Sequence, residues 1–169
     1  MPLSTRILWL KIGAFVVWTF GVATWLAIVW PPALAFANGF FDVAIWPVLD
    51  GAQSLEGVET NMLLAIVAGF SVAIGTFVWV LATSVMPRDP ALARRTIAIA
   101  MGGWLAVDSL GSWFGGAGGN VLLNLGFGAL FLVPALWPDG RGARERGERE
   151  RGERERGERP GAPTLPVAR

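Results

Sequence analysis

Long apolar runs alternate with short polar breaks along this chain. The stretch "IGAFVVWTFGVATWLAIVW" covers Ile12–Trp30 and stops at Pro31 and Pro32. A second run, Met62–Met86, carries no charge and stops at Pro87. A third extends from about Thr96 to Phe114 and is broken by "GGAGG" at 115–119. The fourth, Asn120–Trp137, ends at Pro138-Asp139-Gly140, and Asn120 is placed as its N-cap. Each run approaches the ~20 helical residues needed to cross hydrocarbon. The pattern predicts an all-α membrane protein, a bundle of four transmembrane helices within residues 1–140. It has an interfacial outer segment and a disordered C-terminal tail.

The outer segment is residues 31–61, "PPALAFANGFFDVAIWPVLDGAQSLEGVETN". Its apolar part, Ala33–Trp46, is too short to span and is expected to lie in the interface or re-enter. Asp42, Asp50, Glu56 and Glu59 fall here with no cation among them. Asp50, Glu56 and Glu59 are candidate outer acids that would attract cations. Ordinary solvated loop carboxylates would read the same way.

Orientation follows from the basic residues. Arg6 and Lys11 precede the first run, Arg88, Arg94 and Arg95 fill the link between the second and third, and the remaining arginines follow the fourth. All 14 lysines and arginines thus fall on one face. The positive-inside rule makes that face cytoplasmic, with both termini inside. A cleaved signal peptide is the alternative, because Arg6, Lys11, an apolar run and "ALAFA" at 33–37 imitate one. The run is longer than the ~7–15 residues of a signal core, and cleavage would leave three spans with the same orientation.

The tail, 141–169, repeats in fives as "RGARE-RGERE-RGERE-RGERP". Its arginines and glutamates nearly cancel, so it is no strong lipid anchor. Recurrent glycine weakens any helix there by roughly 1 kcal/mol each, which predicts a disordered, low-complexity arm.

Composition narrows the chemistry. Hydrophobic residues make up 53% of the chain and charged ones only 16%, with Cys, His and Tyr absent. Thiol chemistry, thiolate metal sites and histidine acid–base or haem ligation are therefore excluded. No cofactor, metal or catalytic residue is assigned. A net charge of +1 gives no reason to expect nucleic acid as a partner. The lipid bilayer is the expected partner, with a second copy or another membrane protein as further possibilities.

Small residues at four-residue spacing, Ala65-Gly69-Ala73 and Ser71-Gly75, predict close helix contact on the second span. Trp9, Trp30, Trp113 and Trp137 lie near span ends, as in interfacial belts, while Trp18, Trp25 and Trp104 lie deeper.

Asp108 is the one carboxylate within a span. Ser112 shares its helix face, and Asn120 and Asn124 share a face on the next span. An antiparallel hairpin about Gly115–Gly119 would bring Asp108 level with Asn124, to within ~3 Å in depth, so an Asp108–Asn124 hydrogen bond is expected. Two readings follow. In one, Asp108, Ser112, Asn120 and Asn124 pin the hairpin. In the other, Asp108 takes up a proton or organic cation in a pocket open to the outer side, with Trp104 or Trp113 as a cation–π wall.

The stretches "WPVLDG", "EGVETNMLLAIVAGFSVAIG" and "DPALARRTIAIAMGGWLAVDSLGSWFGGAGGNVLLNLGFGALFLVPAL" resemble small bacterial four-span membrane proteins of uncharacterised function, loosely similar to the DoxX-like group. The resemblance covers about residues 6–137 and excludes the tail. It implies a four-helix bundle in a bacterial inner membrane and brings no reaction, substrate or cofactor. The expectation is a non-enzymatic scaffold or accessory subunit. The alternative is a small transporter or binding protein for a proton or organic cation, centred on Asp108 with Glu59. A cavity reaching Asp108 would favour the second, and Asp108 sealed against Asn124 the first.

Overall fold

Five α-helices and one π-helical turn make up the computed structural model, which describes residues 1–45, 51 and 54–138. They are α1 (Leu3–Val29), α2 (Pro31–Ala44), α3 (Val58–Val80), the π turn Leu81–Val85, α4 (Pro90–Phe114) and α5 (Gly118–Leu136). The Arg/Glu/Gly repeat and Asp50 lie outside the described residues. Four segments are long and apolar enough to cross a membrane: Leu3–Val29, Val58–Val85, Pro90–Phe114 and Gly118–Leu136. The chain is a multi-pass, all-α membrane protein. Two units are distinguished, Leu3–Trp137 and a second composed of Met1–Pro2 with Pro138–Arg169. Within the second, the amino group of Met1 donates to the Pro138 carbonyl at 2.6 Å.

The helix boundaries follow from local chemistry. α1 starts at Leu3, well before the apolar run at Ile12. Ile7 and Leu10 carry its packing face toward the N-terminus, and Arg6 is buried on the same side. Pro31 and Pro32 end α1 and then open α2, where proline costs no hydrogen bond and Trp30 is the N-cap. The apolar Ala33–Trp46 stretch is thus helical as far as Ala44. The Asp89 carboxylate caps α4 by accepting from the Leu92 amide at 2.9 Å. Asn120 is not the N-cap of α5. That position falls to Ala117, because the turn ends earlier and Gly118 is already helical.

Packing between helices is uneven. α1 and α3 meet along an antiparallel seam where glycine admits bulk from the partner. A Cβ on Gly75 would stand 2.6 Å from Trp18 Cδ1 and 2.9 Å from the Ala14 carbonyl, and one on Gly21 would stand 2.9 Å from the Ala68 carbonyl. Of the two predicted stripes, Ser71-Gly75 therefore faces α1. Ala65, Gly69 and Ala73 are exposed, and a Cβ on Gly69 would meet nothing. α4 packs on α5, with Gly128 against Leu105. α5 also packs on α1, where Gly13 receives Phe131, and α2 lies against both α1 and α5.

The four long helices thus form an arc in the order α3, α1, α5, α4. Beyond α5, α4 touches the π turn to a much smaller extent, and it has no comparable contact with α3. The buried core, including Leu10, Val78, Met86, Ile97 and Phe131, fills one end of the arc. This is the end that carries Arg6, Lys11, Arg88, Arg94 and Arg95. There Arg6 Nη2 donates to the Trp137 carbonyl at 2.7 Å and Arg94 Nε to the Ala135 carbonyl at 2.7 Å. Both arginines thus satisfy carbonyls that the last turn of α5 leaves without helical partners. Lys11 Nζ sits 4.7 Å from the Trp79 ring centre, and Trp79 stacks on Trp18 at 5.8 Å.

Candidate functional site

At the other end the arc is hollow. A cavity of about 660 Å³ lies between the helices, within the range of ~300–1,000 Å³ usual for small-molecule pockets. Phe20, Phe40 and Phe127 form one wall: the Phe20 ring centre lies 5.6 Å from that of Phe40 and 5.7 Å from that of Phe127. From α3 come Val67, Phe70, Ser71 and Ile74, and from α4 Met101, Trp104, Asp108 and Ser112. α2 and the Ile45 that follows it cover the end, with Phe41 and Ala44. Two hydrogen bonds tie the following segment back to α2. The Gly51 amide donates to Asp42 Oδ1 and the Leu55 amide to Asn38 Oδ1, both at 3.1 Å.

Asp108, Ser112, Asn120 and Asn124 all line this cavity and form its polar corner. Asn120 Nδ2 donates to Ser112 Oγ at 2.8 Å and stands 3.5 Å from Asp108 Oδ2, a long contact at the limit of a hydrogen bond. The expected Asp108–Asn124 bond is not the one formed. Asn124, buried in the α4–α5 seam, instead approaches Ser109 Oγ at 3.4 Å. The depths match as expected, but one residue along a helix is a rotation of about 100°. That rotation turns Ser109 toward α5 and Asp108 toward the cavity. Sequence spacing does not single out Ser109, since only a helix pair in register reveals which of two adjacent polar residues faces the partner.

A second, shallower hollow of about 700 Å³ runs along the flank of α4. Gly103, Val107, Gly111 and Gly115 line it, and it shares Trp104, Asp108, Ser112 and Ala117 with the cavity. Asp108 therefore sits where the interior and the flank meet.

The outer acids do not join this group. Glu56 and Glu59 are exposed and line neither hollow, while Glu59 occupies the first turn of α3, where it complements the helix dipole. The basic residues Arg6, Lys11, Arg88, Arg94 and Arg95 all lie at the opposite end of the bundle. Among the described residues no three His, Cys, Asp or Glu side chains converge as a metal site.

The polar corner offers one carboxylate, a hydroxyl and two amides beside the Trp104 ring, with an otherwise aromatic and aliphatic interior. Such a site can hold a positively charged group by charge and by ring faces, and can enclose an apolar body next to it. Comparison with known proteins adds no assignment: no family model, curated protein or solved structure matches the chain. The resemblance noted from the sequence thus stands at the level of a four-span membrane protein.

Proposed function

We propose that the protein is a non-enzymatic membrane binding protein for an organic cation, held at Asp108 within the hollow half of the bundle. The observation that carries this reading is the open cavity reaching Asp108, whose carboxylate makes only a long contact with Asn120. No basic side chain of the described residues lies in that half, so a ligand cation would supply the missing countercharge. Intramembrane carboxylates are costly and by default suggest function. A scaffold or accessory-subunit role would have been favoured by Asp108 closed against Asn124, and the geometry favours binding instead.

In this reading the protein resides in a bacterial inner membrane. The arginine-bearing end is cytoplasmic by the positive-inside rule, and the hollow end faces outward. The packed core at the cytoplasmic end supports binding from one side more than passage through the bundle.

The test is thermal stabilisation of the purified protein by benzyltrimethylammonium, which combines a cation with one aromatic ring. A ligand that binds only the folded state raises stability with concentration, by about 2.7 kcal/mol at a hundredfold excess over Kd. The parent protein is expected to show that rise and Asp108→Asn to lose it. An equal response in both, or none in the parent, overturns the proposal.

A further inference from the structure

The cavity has a side door. α3 and α4 are the two ends of the helical arc and, among the described residues, pack on each other little or not at all. Val67 and Phe70 of α3 line the cavity while remaining 42% and 66% exposed, which places them at a rim rather than in an interior. On the other side of this opening the flank of α4 is floored by glycine. A Cβ on Gly103 or Gly111 would meet nothing within 4 Å, so packing inside the bundle does not demand glycine at either position. The flank hollow and the cavity share Trp104, Asp108 and Ser112 in their linings.

The order of polarity along this passage is that of one bilayer leaflet. Asp108 lies six residues before the end of α4 at Phe114, about 9 Å from that end, and Ser112 and Asn120 lie nearer still. Met101, Ile74 and Phe131 mark the deeper end and are apolar. A single-tailed amphiphile resting in the leaflet has its charged head near the surface and its tail toward the midplane. It can therefore move sideways into the bundle without turning over or leaving the lipid. A small hydrophilic cation would gain nothing from such an opening, and α2 covers the alternative path from the end.

We infer that the ligand is a membrane-resident, single-tailed ammonium amphiphile. It passes between α3 and α4 across the flank of α4, its head at Asp108 and its tail along the Gly103 side of that flank, toward the midplane. This inference rests on the cation-binding reading above and specifies the ligand class and its route.

The test uses the full-length protein in lipid nanodiscs and a dodecyltrimethylammonium probe carrying a nitroxide on its tail. Binding is read as the immobilised component of the electron paramagnetic resonance spectrum. Gly103→Leu with Gly111→Leu fills the flank from two positions where an added Cβ meets nothing within 4 Å. It is expected to weaken probe binding by about tenfold or more, the worth of roughly two buried methylene groups. Gly69→Leu, at an exposed position of α3 that lines neither hollow, is expected to bind like the parent. Parent-like binding by the double leucine variant, or a tenfold loss in Gly69→Leu, overturns the route. Failure of the underlying reading looks different, since Asp108→Asn would then immobilise as much probe as the parent.

Discussion

Arg6 Nη2 and the Trp137 carbonyl, 2.7 Å apart, join the first helix to the end of the last. The guanidinium is buried and faces a helix C-terminus, where cations complement the unpaired carbonyls. Arg94 Nη2 reaches the same carbonyl at 3.2 Å from α4, so three helices converge on one acceptor.

Arg6→Ala removes a charge-assisted bond and leaves that α5 terminus with one donor fewer. The expected loss is about 1.5–3 kcal/mol, read as a lower melting temperature in detergent. Arg6→Lys should recover only part of it, because a single ammonium cannot reproduce the guanidinium fork.

The α1–α3 seam predicts a contrast between two glycines on one helix. Gly75→Leu would drive a side chain into Trp18 and the Ala14 backbone, costing about 1–3 kcal/mol or more by overpacking. Gly69→Leu faces open space and should stay within about 0.5 kcal/mol of the parent, as surface substitutions do. Thermal melts of the two variants side by side check this. Equal effects would mean the seam is misplaced.

In the polar corner, stability and binding should separate. Asn120→Ala breaks the 2.8 Å bond to Ser112 and is expected to lower stability by about 0.6 kcal/mol, the usual worth of an interhelical polar contact in lipid. Asp108→Asn gives up only a long contact and removes a costly carboxylate, so its melting temperature should equal or exceed that of the parent. A clear destabilisation by Asp108→Asn would assign the carboxylate to holding the hairpin.

The sequence made the spans legible because crossing lipid imposes a length and an apolar composition that few other structures share. Pro31, Pro87 and the 115–119 glycines mark the breaks for equally local reasons. The membership of the polar corner was legible too, from four-residue spacing and the short hairpin. Its bonding was not, since the choice between Asp108 and Ser109 as partner to Asn124 depends on helix rotation. The buried role of Arg6 was also hidden. By sequence it is one of two basic residues before a span, and only its position against α5 shows that it caps a helix. A pocket at Asp108 was one of two readings open in the sequence, and the choice depended on how little α3 and α4 pack on each other, which no local pattern encodes.

The four residues between Val85 and Pro90 join the two ends of the helical arc, its least-packed pair of neighbours. The π turn and the Asp89 cap hold that joint firm, with Met86 donating its amide to Leu81 O at 2.8 Å. The bundle is consequently built like a pair of tweezers, pivoted at its basic end. Any spreading of α3 from α4 would be smallest at the pivot and grow toward the tips, so in the proposed binding role guests of varying girth would be taken at the jaws with the pivot shut.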